Sequence, residues 1–271
     1  MGFDSAWTAD NAGGIVGVIC DAGGSLRSLG EPMSADFDVA AEVVDGWRRR
    51  HTPDRTLILL DQPIVVENAA GQRPVENVVA APVGRRRGAV QPANTARVEM
   101  FGEAAPVWRF LAGLGGSVDP AEASAKCAVF ETYPVLTLIA KQWLLPDALR
   151  QDRLPKYNPA RRKTFLLDDW AFVCTQVFRV FSQHGLMEIA NWCKTAAEMP
   201  HVTKEAQDLL DACLCLIPAI DLVRGEPCLM VGEVESGYMV VPSGQDLERE
   251  LTARCEATGR VGRQWVRSIS L

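Results

Sequence analysis

The sequence predicts an α/β fold built on a mixed sheet: three antiparallel strands, then parallel strands, with helices on both faces and a helical insertion. Three observations predict it. Short apolar runs near the start are joined by Gly-rich turns, as in an antiparallel meander. Two later runs, Thr56 to Asp61 and Lys126 to Glu131, are continuously apolar, as in central strands covered on both faces. Between and after them lie segments with apolar residues at helical spacing.

The first strand is Gly2-Phe3-Asp4, running on to Ser5-Ala6-Trp7. An Asp inside a buried strand is disfavoured by propensity and costly to bury unpaired. Asp4 is therefore a metal ligand, a satisfied structural carboxylate or part of a loop. Asp10 to Gly14 reads as a turn, Ile15 to Cys20 as the second strand, Asp21 to Gly24 as another turn and Ser25 to Leu29 as the third strand. Asp36 opens a helix with Val39, Ala40, Val43, Val44 and Trp47 on one face, and Arg48, Arg49 and Arg50 suit its C-terminus. The strand Thr56 to Asp61 follows Pro53-Asp54.

Residues 65–97 read as a loop insertion, rich in Asn, Gly and Pro, with a cationic knot at Arg85, Arg86 and Arg87. A helix over 105–114 ends at Gly115-Gly116, and Pro134 suits the first turn of a helix after Glu131. The helical insertion covers about 150–200. It opens with a basic loop, Arg150, Arg153, Lys156, Arg161, Arg162 and Lys163, set around Tyr157, and continues as helix over 164–198, broken near Gly185. Thr203 caps a helix through Val223, in which Asp208 and Asp211 lie three apart and share a face. The tail, 226–271, reads as a hairpin, Cys228 to Glu233 with Tyr238 to Val241, then a helix from 245 to 257. No repeat or low-complexity linker divides the chain, so 1–271 is taken as one domain.

Composition narrows the function classes. The 271 residues suffice for a sizeable core, and 48% hydrophobic with 23% charged residues is ordinary for a soluble globular chain. A net charge of −6 excludes a general nucleic-acid coat, so any bound phosphate backbone must meet a local basic patch. The eight cysteines form no C-x-x-C pair and the three histidines, at 51, 184 and 201, are far apart, so no zinc site is expected. The thiols read as reduced core fillers of a cytoplasmic protein. Asp4 and Asp10 argue against a signal peptide, and no apolar run reaches the ~18 residues of a membrane span. Oligomeric state is left open, a homodimer included.

Taken together, the elements follow the order of the ribonuclease H-like fold. Asp61 and Glu131 end the parallel strands, at the sheet edge where sites of α/β folds form. Asp4 joins them from the neighbouring strand, and the late helix adds Asp208 and Asp211. Clustered carboxylates raise one another's pKa unless a cation neutralises them. Mg2+ or Mn2+ fits, as a hard ion with oxygen ligands, and two such ions would activate water and stabilise the leaving oxygen in phosphodiester hydrolysis. Arg85, Arg86, Arg87, Lys156, Arg161 and Arg162 are candidate phosphate contacts and Tyr157 a candidate stacking platform, each weighed against a plainer role in a solvated loop. Trp108, Trp143, Trp170 and Trp192 sit in helical apolar patterns and read as core.

Several segments carry a family resemblance. Gly2-Phe3-Asp4 matches a first-strand G-h-D, Asp61-Gln62-Pro63 a D-x-P, Glu131-Thr132-Tyr133-Pro134 an E-x-[HY]-P, and Lys156-Tyr157 a basic segment. Asp208 to Ala212 matches D-x-x-D-A, and Gly237 to Pro242 a G-[WY]-h-h-h-P strand. In these the chain resembles a family of predicted nucleases of ribonuclease H-like fold, a domain family of unknown function distantly similar to the Holliday-junction resolvase RuvC. The resemblance implies an acidic catalytic site at Asp4, Asp61, Glu131 and Asp211, with Asp208 beside it, and DNA or RNA as substrate. The 65–97 insertion and the basic loop depart from the family pattern. Two other classes compete. An actin-like or sugar-kinase-like ATPase would need Gly-rich phosphate loops, which Asp4-Ser5-Ala6-Trp7 supplies poorly. A non-catalytic scaffold would bind nucleic acid or protein through the basic loops.

Overall fold

The computed structural model describes residues 1–5, 7–8, 11–122 and 125–271, the side chains of Arg150 and Gln151 apart. Ala6 of the opening stretch, and Asp10 at the start of the first expected turn, lie outside the described residues. The α/β class is as expected. The chain begins with β1 (Gly2–Asp4), β2 (Gly13–Val16), β3 (Val18–Cys20), β4 (Leu26–Ser28) and β5 (Met33–Ala35). Then come α1 (Phe37–His51), β6 (Thr56–Leu60), α2 (Pro74–Arg85), α3 (Val98–Phe101), α4 (Pro106–Leu114), β7 (Cys127–Glu131) and α5 (Pro134–Ala140). The hairpin β8 (Leu145–Asp147) and β9 (Arg150–Arg153) leads to α6 (Leu167–Gln183), α7 (Met187–Ala197) and α8 (Lys204–Val223). The tail is β10 (Cys228–Glu233), β11 (Gly237–Pro242), α9 (Gln245–Ala257), α10 (Gly262–Trp265) and β12 (Val266–Ile269).

The main sheet has the order β5-β2-β1-β6-β7. β2 is antiparallel to β1 and to β5, whereas β6 and β7 run parallel to β1. One face is covered by α1 and α4, where Phe3 meets Phe37 and Phe110 at ring centroids of 5.7 and 5.4 Å. The other face carries α8. It lies so close that a Cβ on Gly2 would stand 2.2 Å from the Ala212 carbonyl oxygen, and one on Gly14 2.5 Å from that of Asp208. Glycine is what lets this helix rest on strand backbone. A second antiparallel sheet, β11-β10-β12, packs beside β7 through the Phe130–Tyr238 ring pair.

Three expectations need correction. The meander does not supply all three antiparallel strands of the sheet. The second strand breaks at Gly17, where a Cβ would meet the Trp47 ring at 2.7 Å. Beyond that break, among the described residues, β3 pairs only with β4 as a separate ribbon, and β5 takes the sheet edge. Residues 65–97 are not all loop, because α2 lies within them. Val75, Val78, Val79 and Val83 are its buried face, and Pro74 sits at its first turn. The tail holds a further strand, β12, which pairs with β10.

Other expectations hold. Asp36 and Thr203 cap α1 and α8, accepting from the amides of Val39 and Ala206. The two helices of the insertion break at Gly185, whose φ is +72°. All eight cysteines are free, and Trp170 is fully buried. Among the described residues no helix is long and apolar enough to cross a membrane.

Candidate active site

The parallel register decides which carboxylates can meet. Phe3, Leu60 and Glu131 are paired across β1, β6 and β7, so their side chains share one face. The next row is Asp4, Asp61 and Thr132, since Asp61 N–H donates to the Phe3 carbonyl and Thr132 N–H to that of Leu60, both at 2.9 Å. Side chains alternate along a strand, so this row faces α8. The first turns of α8 bring Lys204, Asp208 and Asp211 to the same edge.

Asp4, Asp208 and Asp211 are buried, and with Asp61 they line one open cleft of about 800 Å³. Burial, then the charges of Asp61, Asp211 and Asp208, hold the Asp4 carboxyl well above the usual carboxylate range, with Lys204 pulling it back. Burial, followed by Asp211 and Glu131, does the same to Asp61. Asp211 is pushed up to about 7 by burial, against the Tyr157 hydroxyl and Lys204, which favour its ionised form. Tyr157 Oη donates to Asp211 Oδ1 at 2.8 Å, Gln207 Nε2 donates to Oδ2, and Lys204 pairs with Asp208. Burial lowers the pKa of Lys204, but Asp4, Asp208 and Asp211 more than offset this and raise it.

Glu131 borders the same cleft but is held by a different set of partners. Its carboxylate takes both Arg73 guanidinium nitrogens, at 2.8 and 2.6 Å, and the Ile64 amide at 3.3 Å. Arg73 also binds Glu76 at 2.8 Å, and Glu76 accepts from the Arg73 and Ala93 amides. Burial raises the Glu131 pKa while Arg73 lowers it. Expected as a metal ligand, Glu131 is engaged in a buried ion pair with Arg73, and its place in the register starts its side chain on the opposite sheet face from Asp4 and Asp61, although it still borders the cleft.

Of the candidate phosphate contacts, Arg87, Lys156 and Arg161 line the cleft, and Arg85, Arg86 and Arg162 do not. Arg86 is buried against Glu250 at 2.7 Å, Arg85 reaches the same carboxylate at 3.2 Å, and Arg87 binds Asp147 at 2.7 Å. Lys156 Nζ donates to the Arg87 carbonyl at 2.5 Å. Arg161 is exposed and lines the cleft, whereas Arg162 is exposed outside it. Tyr157 is buried and holds Asp211, so it cannot be the exposed stacking platform expected. The sequence reading missed Lys204, Arg97 and Arg73. Lys204 was signalled, since it precedes Asp208 by four residues and Asp211 by seven on one helical face. Arg73 has no local signal, because Glu131 lies 58 residues away.

Among the described residues no three His, Cys, Asp or Glu side chains already stand at the spacing of a metal cage. The donor chemistry nevertheless suits a hard divalent cation. Four aspartates face one lysine, and the buried Thr132 Oγ1 and Gln207 Oε1 beside them have no hydrogen-bond partner among the described residues. Asp4, Asp61, Asp208 and Asp211 are the residues that could hold it.

A family model described as "Protein of unknown function (DUF429)" matches residues 2–236, so the chain belongs to that family. No curated protein and no solved structure matches it.

Proposed function

We propose that this member of the DUF429 family is a divalent-metal-dependent hydrolase of ribonuclease H-like fold that cuts phosphodiester bonds in nucleic acid. One observation carries the reading: Asp4, Asp61 and Asp211 concentrate mutually repelling, poorly solvated charge on the floor of an open cleft, at the carboxyl ends of parallel strands. Such an arrangement is unfavourable for folding alone and becomes favourable when a cation is bound. The strand order, with β2 antiparallel to both β1 and the edge strand β5 on one side and two strands parallel to β1 on the other, supports the fold assignment.

Asp4, Asp61 and Asp211 would hold Mg2+ or Mn2+, with Asp208 beside them. The bound ion supplies positive charge that polarises a phosphoryl oxygen. The chain's own residues do the rest. Tyr157 fixes the orientation of Asp211 through its hydroxyl. Lys204 and Arg161 put positive charge on the cleft wall, which a phosphate backbone needs in a molecule of net charge −6. The test is cleavage of DNA and RNA with Mn2+ by purified, folded Asp4→Asn and Asp211→Asn proteins. Each is expected to lose activity by about 100-fold or more. Wild-type activity in both would sink the assignment.

A further inference from the structure

Two aromatic side chains line the cleft that the acid cluster leaves unused. Trp7 follows β1 and Tyr133 follows β7, and β6 with Asp61 lies between those strands. Both residues are half-buried and border the cleft. Each is pinned by its polar end to a backbone carbonyl. Trp7 Nε1 donates to the Asp61 oxygen at 2.9 Å, and Tyr133 Oη donates to that of Ala89 at 3.0 Å. Trp7 also packs edge-on against Phe101, with centroids 5.7 Å apart. Its backbone has φ +65°, in the left-handed region that is uncommon for a large side chain and recurs at ligand clamps.

These contacts fix the rings, which remain partly exposed at the cleft. An indole held half-open beside buried aspartates invites a flat, apolar partner with its own π face. The charge around it is arranged for an anion, since Arg97, Lys156 and Arg161 line the same cleft. A nucleobase joined to a phosphate is the ligand that satisfies both features. Its neighbours in a strand would continue along the cations.

We infer that Trp7 and Tyr133 are base-stacking platforms on either side of the scissile phosphate, so the substrate is unpaired nucleic acid rather than continuous duplex. This rests on the phosphodiesterase reading above. In a duplex each base face is covered by the next pair, so neither ring could stack without unpairing the strand.

The test uses the full chain with one sequence offered as single-stranded DNA, single-stranded RNA and blunt duplex, each carrying 2-aminopurine, whose fluorescence is quenched by stacking. Binding is read in EDTA and cleavage in Mn2+. Wild-type protein is expected to quench the probe in a single strand and to cut that strand at least about tenfold faster than the duplex. Trp7→Ala and Tyr133→Ala should each weaken single-strand binding about tenfold and abolish part of the quenching, while Trp7→Phe and Tyr133→Phe, which keep the rings, should retain most of both. Equal cleavage of duplex and single strand, or unaltered quenching in both Ala variants, would overturn the inference while leaving the nuclease reading intact. Ring-dependent quenching with no cleavage of any strand would support the platforms and remove the nuclease reading.

Discussion

Asp61 and Glu131 end adjacent parallel strands, yet their carboxylates leave the sheet on opposite faces. Leu60, not Asp61, is the register partner of Glu131, and one residue is half a strand period. Glu131 therefore meets Arg73, which is itself fully buried and held a second time by Glu76. Removing one charge from such a pair leaves the other buried and uncompensated, which costs about 3–5 kcal/mol. Glu131→Gln is expected to lower the melting temperature strongly and to leave the Mn2+ concentration dependence of any folded protein unchanged. A stable Glu131→Gln protein with weakened Mn2+ dependence would restore Glu131 to the metal site. Both acids looked equivalent in the sequence because each closes an apolar run; only the register separates them.

At the scale of elements, α8 is the piece on which the site depends. It supplies Lys204, Asp208 and Asp211, and it reaches Asp4 and Asp61 because Gly2 and Gly14 let it lie on strand backbone. Gly14→Ala would place a methyl 2.5 Å from the Asp208 carbonyl oxygen, so the helix must lift from the sheet. The expected result is a loss of about 1–3 kcal/mol of stability together with loss of activity. Gly46→Ala, within α1 and facing open space, should be neutral or slightly stabilising in the same thermal melts. A Gly14→Ala protein as stable and active as wild type would mean α8 is not held there.

Elements with strong local signals were legible in advance: α1 and α8 by cap and apolar stripe, β6 and β7 by continuous apolarity. α2 was hidden by Pro74, Pro82 and Gly84, turn residues that mask the Val75, Val78, Val79 and Val83 stripe. β5 was hidden because Met33-Ser34-Ala35 is too short to show a pattern and follows Gly30-Glu31-Pro32. The acidic members of the site could be read from their places at strand and helix ends. What Arg86 and Tyr157 do could not, because Glu250 and Asp211 meet them only through the tertiary fold.

For the whole molecule, the acid cluster ties stability to pH and to metal. Asp211 ionises near pH 7 in the folded chain and near 3.8 when free, and Asp4 and Asp61 are shifted the same way by burial. Below about pH 3 the groups are protonated in both states and make no difference to stability. As the pH rises towards 7, the unfolded chain releases these protons first, so folding becomes less favourable. Above 7 the Asp211 contribution is lost in full. In EDTA the wild-type melting temperature should therefore fall between pH 4 and 7 more steeply than that of Asp211→Asn, whose side chain carries no charge but still accepts from Tyr157. The two proteins should converge below about pH 3, and the inactive variant should be the more stable at pH 7. Adding Mn2+ at pH 7 should raise the wild-type melting temperature and reverse that order, because an ion that binds only the folded state stabilises it by mass action. If Asp211→Asn melts below wild type at pH 7 in EDTA, the ion pairs and hydrogen bonds of Asp211 outweigh the repulsion. The cluster would then be a structural network rather than a site waiting for a cation.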